Sequence, residues 1–180
     1  MSPPEPFMSA SRPSHIHFKI GSGATTGTAK ALLNWDSAPQ TCAAIVAACP
    51  FTSLSQHGRN SGDEALLITP SVISHIPQDS TENATQTHAM HDVLFGFEPT
   101  GFCKGGAGDV DVSEIAWIYG EAAQAMYWVS EHGPPHDKPP FRQQVATLNK
   151  FARIVEEKLF YEMSKNLIKT GATEITVTCD

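Results

Sequence analysis

Two segments with a strict period of two do most to limit what this chain can fold into. Residues 15–20 read HIHFKI, with Ile16, Phe18 and Ile20 on one side and His15, His17 and Lys19 on the other. Residues 173–179, TEITVTC, alternate in the same way. A strand sends successive side chains to opposite faces, so this pattern describes strands with one face buried. The two segments lie far apart in the chain, and we expect them to pair. A helical bundle, or a parallel sheet flanked by helices on both faces, would contradict this reading.

The stretch between them adds short strands and little helix. After GSGATTGT, a turn rich in Gly and Thr, AKALLNW returns as the partner of the first strand. In DSAPQTCAAIVAACP, Ser37 and Gln40 stand in capping-box spacing and Pro39 lies in the first turn. Cys42, Ile45, Val46 and Cys49 make an i, i+3, i+4, i+7 stripe that Pro50 ends, predicting a helix over about 38–49. EALLIT, SVISHIP, VLFGFEP, SEIAWIYG and QAMYWV read as short apolar strands, and QDSTENATQTHAMHD as a polar loop. TGFCKGGAGDVD is a Gly-rich loop, and EHGPPHDKPP (131–140) is a Pro-rich surface excursion that carries His132, His136 and Asp137. By composition 141–170 leans to helix, with Leu159, Phe160, Met163 and Leu167 as a stripe and Gly171 as its stop. Many short strands with two helices point to a mainly β chain closed into a barrel.

The 180 residues suit one domain over 14–180, behind a flexible Pro- and Ser-rich tail at 1–13. A formal net charge of −7 disfavours nucleic acid, which requires a basic face, and anionic membrane surfaces. No apolar run has the length of a membrane span, and the first residues lack a secretory pattern. Four cysteines without a C-x-x-C pair read as reduced residues of a cytoplasmic protein.

The order of elements resembles the cyclophilins, a family with an eight-stranded barrel and a helix at each end. SAPQTCAAIVAAC is similar to the family's first helix with its Ala-Pro pair. SEIAWIYG is similar to a core strand, and NKFARIVEEKLFYEMSKNLIK to the last strand-and-helix unit. The likeness is closer to small uncharacterised bacterial proteins of cyclophilin-like fold, in which a W-S-G-E-like turn precedes a strand; here Asn60-Ser61-Gly62-Asp63-Glu64 stands in that place. The resemblance implies that NKFARIV is strand, with helix only from about 158 to 169.

It also singles out His57 and Arg59. True isomerases of this fold place an arginine beside a histidine on the strand after the first helix, where it donates to the proline nitrogen as the amide twists. The aromatic, methionine and glutamine that follow in the family are replaced by SGDEALL. We therefore expect a barrel that binds a small anionic ligand or a short peptide, with Arg59, His57, Trp117 and Tyr119 at the ligand. Peptidyl-prolyl isomerisation is the first alternative, and a homo-oligomer is left open.

A metal-dependent enzyme is the second alternative. His88, His91 and Asp92 form H-x-x-H-D, and His15 and His17 share a strand face. Neither set is complete: the first lacks a further spaced ligand, and the second lacks the glutamate that a cupin needs. GGAGD does not open a helix as a phosphate cradle would. The sequence thus calls for no metal and no cofactor, and Trp117 and Trp128 read as core or groove wall.

Overall fold

A computed structural model describes residues 12–23, 25–58, 61–71, 73, 82–98, 111–132 and 139–180, the side chain of Trp128 excepted. The strands are β1 (His15–Ser22), β2 (Thr25–Leu33), β3 (Phe51–His57), β4 (Gly62–Ile68), β5 (Ala84–Thr85), β6 (Asp92–Glu98), β7 (Val112–Ala123), β8 (Met126–Ser130), β9 (Phe141–Val145), β10 (Leu148–Lys158) and β11 (Thr173–Cys179). The helices are α1 (Pro39–Ala48) and α2 (Phe160–Thr170). Eight strands close an antiparallel barrel in the order β2-β1-β11-β3-β4-β7-β6-β10, with β10 returning to β2. The two alternating segments do pair, with Ile16 opposite Cys179 and Ile20 opposite Ile175. β5 extends β10 at one edge, and β8 with β9 forms a separate hairpin.

The barrel interior is apolar and aromatic. Ile16, Phe18 and Ile20 point inward from β1, and Trp117 and Phe151 join them from β7 and β10. α2 closes one end by inserting Phe160, whose ring lies 5.8 Å from Phe18 and 5.3 Å from Trp117. Ser164, one turn on, accepts the Trp117 indole N–H at 2.9 Å and donates to the Phe160 carbonyl at 2.8 Å. The buried indole is thereby satisfied, as a polar atom out of water requires.

A second apolar cluster lies on the outside of the same wall. Leu94, Ala116 and Ile118 pack there with Ala125, Ala146 and Leu148, and Tyr127 of the hairpin covers them. β7 is therefore buried on both faces, which accounts for the unbroken apolar run in SEIAWIYG.

Several expectations change. The segment 141–158 is strand throughout its regular part, so composition misled at 141–147 and the family likeness was right at NKFARIV. α1 takes no cap from Ser37: Ala38 is the N-cap and makes no side-chain bond. Glu82 replaces it, accepting the amides of Gln40 at 3.0 Å and Thr41 at 2.9 Å and the Thr41 hydroxyl at 3.1 Å. A carboxylate at this end also suits the helix dipole.

Of the supposed tail, Arg12 and Pro13 are held against Trp35. The guanidinium stands 5.1 Å over the ring, and the indole donates to the Pro13 carbonyl at 2.7 Å. Residues 1–11, most of SVISHIP, residues 99–110 and residues 133–138 lie outside the described residues. No helix among the described residues is long and apolar enough to cross a membrane.

Candidate functional site

The end of β3 and the start of β4 run antiparallel, with His57 opposite Ala65. The turn between them folds back onto its own strand. Gly58 donates its amide to the Glu64 carbonyl at 3.0 Å, and a Cβ on Gly58 would stand 2.7 Å from the Glu64 Oε2. Gly62, at φ +71, lies so close to β7 that a Cβ would stand 1.7 Å from the Ala122 carbonyl oxygen. Only glycine suits both the left-handed backbone and the contact. Asp63 leans over Gly120 and accepts the Ala122 amide at 3.2 Å, while Gln124 donates to the Ser61 carbonyl at 2.8 Å. The turn is thus docked on β7.

His57 and Tyr119, 62 residues apart, meet beside it. A hydrogen bond of 2.5 Å joins the His57 Nε2 to the Tyr119 hydroxyl, and the rings stand edge to face with centroids 5.9 Å apart. Burial, with Asp63 and Glu64 adding negative charge, pushes the Tyr119 phenol up to about 12. The phenol therefore stays protonated and has a proton to give.

Glu64 is 2% exposed. Burial pushes its carboxyl up to about 7, and a hydrogen bond with Ser61 opposes part of that rise. It is a carboxyl that exchanges its proton near neutral pH, the range in which general acids and bases work.

Two further carboxylates share the outer face. Glu114 falls in step with Ala116 and Ile118 on β7, and Glu98 with Leu94 on β6. Gly96, opposite Glu114 in the ladder, makes room for it: a Cβ there would stand 3.1 Å from the Glu114 Cγ and 3.0 Å from the Tyr127 hydroxyl oxygen. Burial first, then the charges of Glu98 and Glu64, holds the Glu114 carboxyl well above the usual carboxylate range. A buried carboxyl without a neutralising charge keeps its proton. Glu64 faces Ile118, four residues along β7 from Glu114, so these side chains line a face and do not converge on a point.

The residues singled out by sequence part company here. His57 and Tyr119 are brought together. Trp117 is 0% exposed and its indole N–H is engaged by Ser164, so it belongs to the core and lines no groove. Arg59 lies outside the described residues. Glu64, Glu98 and Glu114 went unremarked as site residues. Their signal was a carboxylate set in step with apolar residues, as in GDEALLI and SEIAWIYG.

The histidine sets turn to other partners. His88 accepts the Ala125 amide on Nδ1 at 3.1 Å, and His91 bonds the Tyr161 hydroxyl at 2.7 Å. Asp92 lies 3.3 Å from Arg153 and 3.6 Å from Lys150. His15 and His17 both turn to the Asp180 carboxylate, at 3.1 and 2.7 Å, and their hydrogen bonds help hold it down at about 2. Among the described residues no three such groups converge as metal ligands would.

The profile of the family described as "Protein of unknown function (DUF3830)" matches residues 23–130, and the chain belongs to that family. No curated protein matches the chain in sequence. Among solved structures, the chain is similar to the hypothetical protein AF2241 from Archaeoglobus fulgidus, with 18% identity, a TM-score of 0.49 and coverage of 95% of this chain and 99% of that one. It is also similar to McbB, solved in complex with tryptophan, with 12% identity, a TM-score of 0.53 and coverage of 89% of this chain and 44% of that one. The second likeness concerns the fold alone, and this chain spans under half of that protein.

Proposed function

We propose that this member of the DUF3830 family is a ligand-binding barrel of the cyclophilin-like type, with its site around the β3–β4 turn and the adjoining outer face of β7 and β6. The observation that carries the reading is the His57–Tyr119 hydrogen bond beside the turn, with the Glu64 carboxyl packed at Gly58 of the same turn and able to exchange a proton near neutral pH. Asp63, and Glu64 once it ionises near neutral pH, bring negative charge to the turn. Such a field favours a ligand that brings a positive charge or N–H donors, and repels a purely anionic one. The anionic ligand expected from Arg59 alone therefore gives way to a short peptide or a small amine-bearing molecule. Arg59 keeps a place in the proposal for its chemistry: its planar fork suits a carbonyl or carboxylate at the other end of the same ligand. A cytoplasmic setting fits the free thiols at Cys42, Cys49 and Cys179.

Binding of amine-bearing small molecules and short peptides, measured by calorimetry beside matched carboxylates that lack the amine, tests this reading. The amine series binds, and Glu64→Gln weakens it by roughly tenfold, about 1.4 kcal/mol. Preference for the plain carboxylates, or indifference to Glu64→Gln, would sink it. The same protein should show little or no turnover of Ala-Pro test peptides. The groups that hold the proline ring and orient its carbonyl are replaced by SGDEALL, and orientation supplies much of the rate. Robust turnover abolished by Arg59→Ala would make the protein an isomerase instead.

A further inference from the structure

Cys49 and Cys179 stand 130 positions apart in the sequence and side by side in the fold. β11 pairs with β3 in an unbroken antiparallel register: Thr173 faces Ser55, Ile175 faces Ser53 and Val177 faces Phe51. Cys49 stands two residues before Phe51 and Cys179 two residues after Val177, at the same end of this ladder, and the Cys179 thiol is a direct neighbour of the Cys49 thiol. Direction agrees with position. Cys179 falls in step with Ile175 and Val177, both fully buried, and Cys49 packs against the same core beside Phe51.

Both backbones are anchored. Cys49 is the C-cap of α1, its amide bonded to the carbonyls of Ile45 and Val46, each at 3.2 Å. On its other side Cys179 pairs with Ile16 of β1, and Asp180 donates to the His15 carbonyl at 3.4 Å. Thiols that neighbour one another this closely, on backbones anchored on both sides, are placed as a disulfide requires. Each thiol is only partly buried, whereas Cys42 is sealed in the core.

We propose that Cys49 and Cys179 form a reversible disulfide that locks the end of β11 to the start of β3. The oxidant is a low-molecular-weight disulfide. One protein thiolate attacks it, forming a mixed disulfide and releasing one small thiol. The second protein thiol then displaces the other small thiol and completes the Cys49–Cys179 bond. Two electrons pass to the small disulfide, and the two protein protons leave on the released thiols. The thiols already act on one another: burial, and then the neighbouring Cys179, pushes the Cys49 thiol up to about 12. That value makes the Cys49 thiol slow to attack at neutral pH, since the thiolate is the nucleophile. The lock closes under sustained oxidation and opens with a dithiol reductant.

The full chain, reduced and then incubated with glutathione disulfide at mildly alkaline pH, is alkylated after denaturation and mapped by mass spectrometry. A peptide pair joined through Cys49 and Cys179, lost on reduction, is the expected result, with a higher melting temperature in the oxidised form. Cys49→Ser and Cys179→Ser should each abolish the link, while a melting temperature close to that of the reduced wild type shows that the variant is folded. Recovery of both cysteines alkylated in the wild type would overturn the proposal. So would their linkage to Cys42, to Cys103 or to a second chain.

Discussion

The wall formed by β4, β7 and β6 has two faces built from the same strands, and they differ in almost every respect. The inner face presents Ala65, Leu67, Ile115, Trp117 and Phe95 to a dry interior that α2 seals. The outer face places Glu64, Glu114 and Glu98 beside Leu66, Ala116 and Ile118, partly roofed by the β8–β9 hairpin. On the inner face the buried indole N–H of Trp117 is matched by Ser164. On the outer face burial holds the carboxyls of Glu64 and Glu114 above the usual carboxylate range. One face stabilises the barrel. The other stores an electrostatic cost, and shifted carboxyls of this kind cluster at functional sites.

The comparison breaks most visibly at Trp117. Trp117→Ala empties the centre of the aromatic cluster and leaves Ser164 without its donor. A loss of about 3–5 kcal/mol is expected, measured by denaturant unfolding. A loss below about 1 kcal/mol would show the inner face to be far looser than described.

Glu64→Gln should act in the opposite direction and only at higher pH. The native carboxyl titrates near 7 against an ordinary 4.5, so the folded protein holds the proton more tightly than the unfolded chain. Stability from this group therefore falls as pH rises from about 4.5 to about 7, and then levels off. Gln, always neutral, escapes the cost, and the variant should gain on the order of 3 kcal/mol over wild type at pH 8 and little at pH 4. Melting temperatures of the two proteins across that range decide it; parallel curves would contradict the assignment.

Tyr119→Phe sharpens the comparison where the two faces meet. It keeps the packing and removes the hydroxyl that His57 holds, so a loss of about 1 kcal/mol is expected. The His57 ring resonances should also shift in NMR spectra. Unchanged resonances would mean that the hydrogen bond is not formed in solution.

Much of the barrel was legible in the residues. HIHFKI, TEITVTC and the stripe Cys42-Ile45-Val46 carry their periods openly, because each buries one face against one neighbour. The segment 141–147 did not, since FRQQVAT has no apolar alternation and takes its strand form from pairing with β8. The cap of α1 was misread for a related reason. Ser37 has the right spacing, but Glu82 reaches the same amides from a loop more than 40 residues away, and local spacing carries no record of that approach.

What the sequence by itself determined is the set of periods, and with it the mainly β barrel, the two helices and the pairing of the outermost strands. A side-chain period is a local property, set by backbone geometry within a few residues. Which residues share a site is a matter of register and closure. His57 found Tyr119, and Glu114 found the space left by Gly96, only because β3, β4, β7 and β6 lie side by side in a particular stagger. Trp117 passed from groove to core for the same reason: strand β7 is covered on both sides, and only the closed barrel decides which side α2 seals.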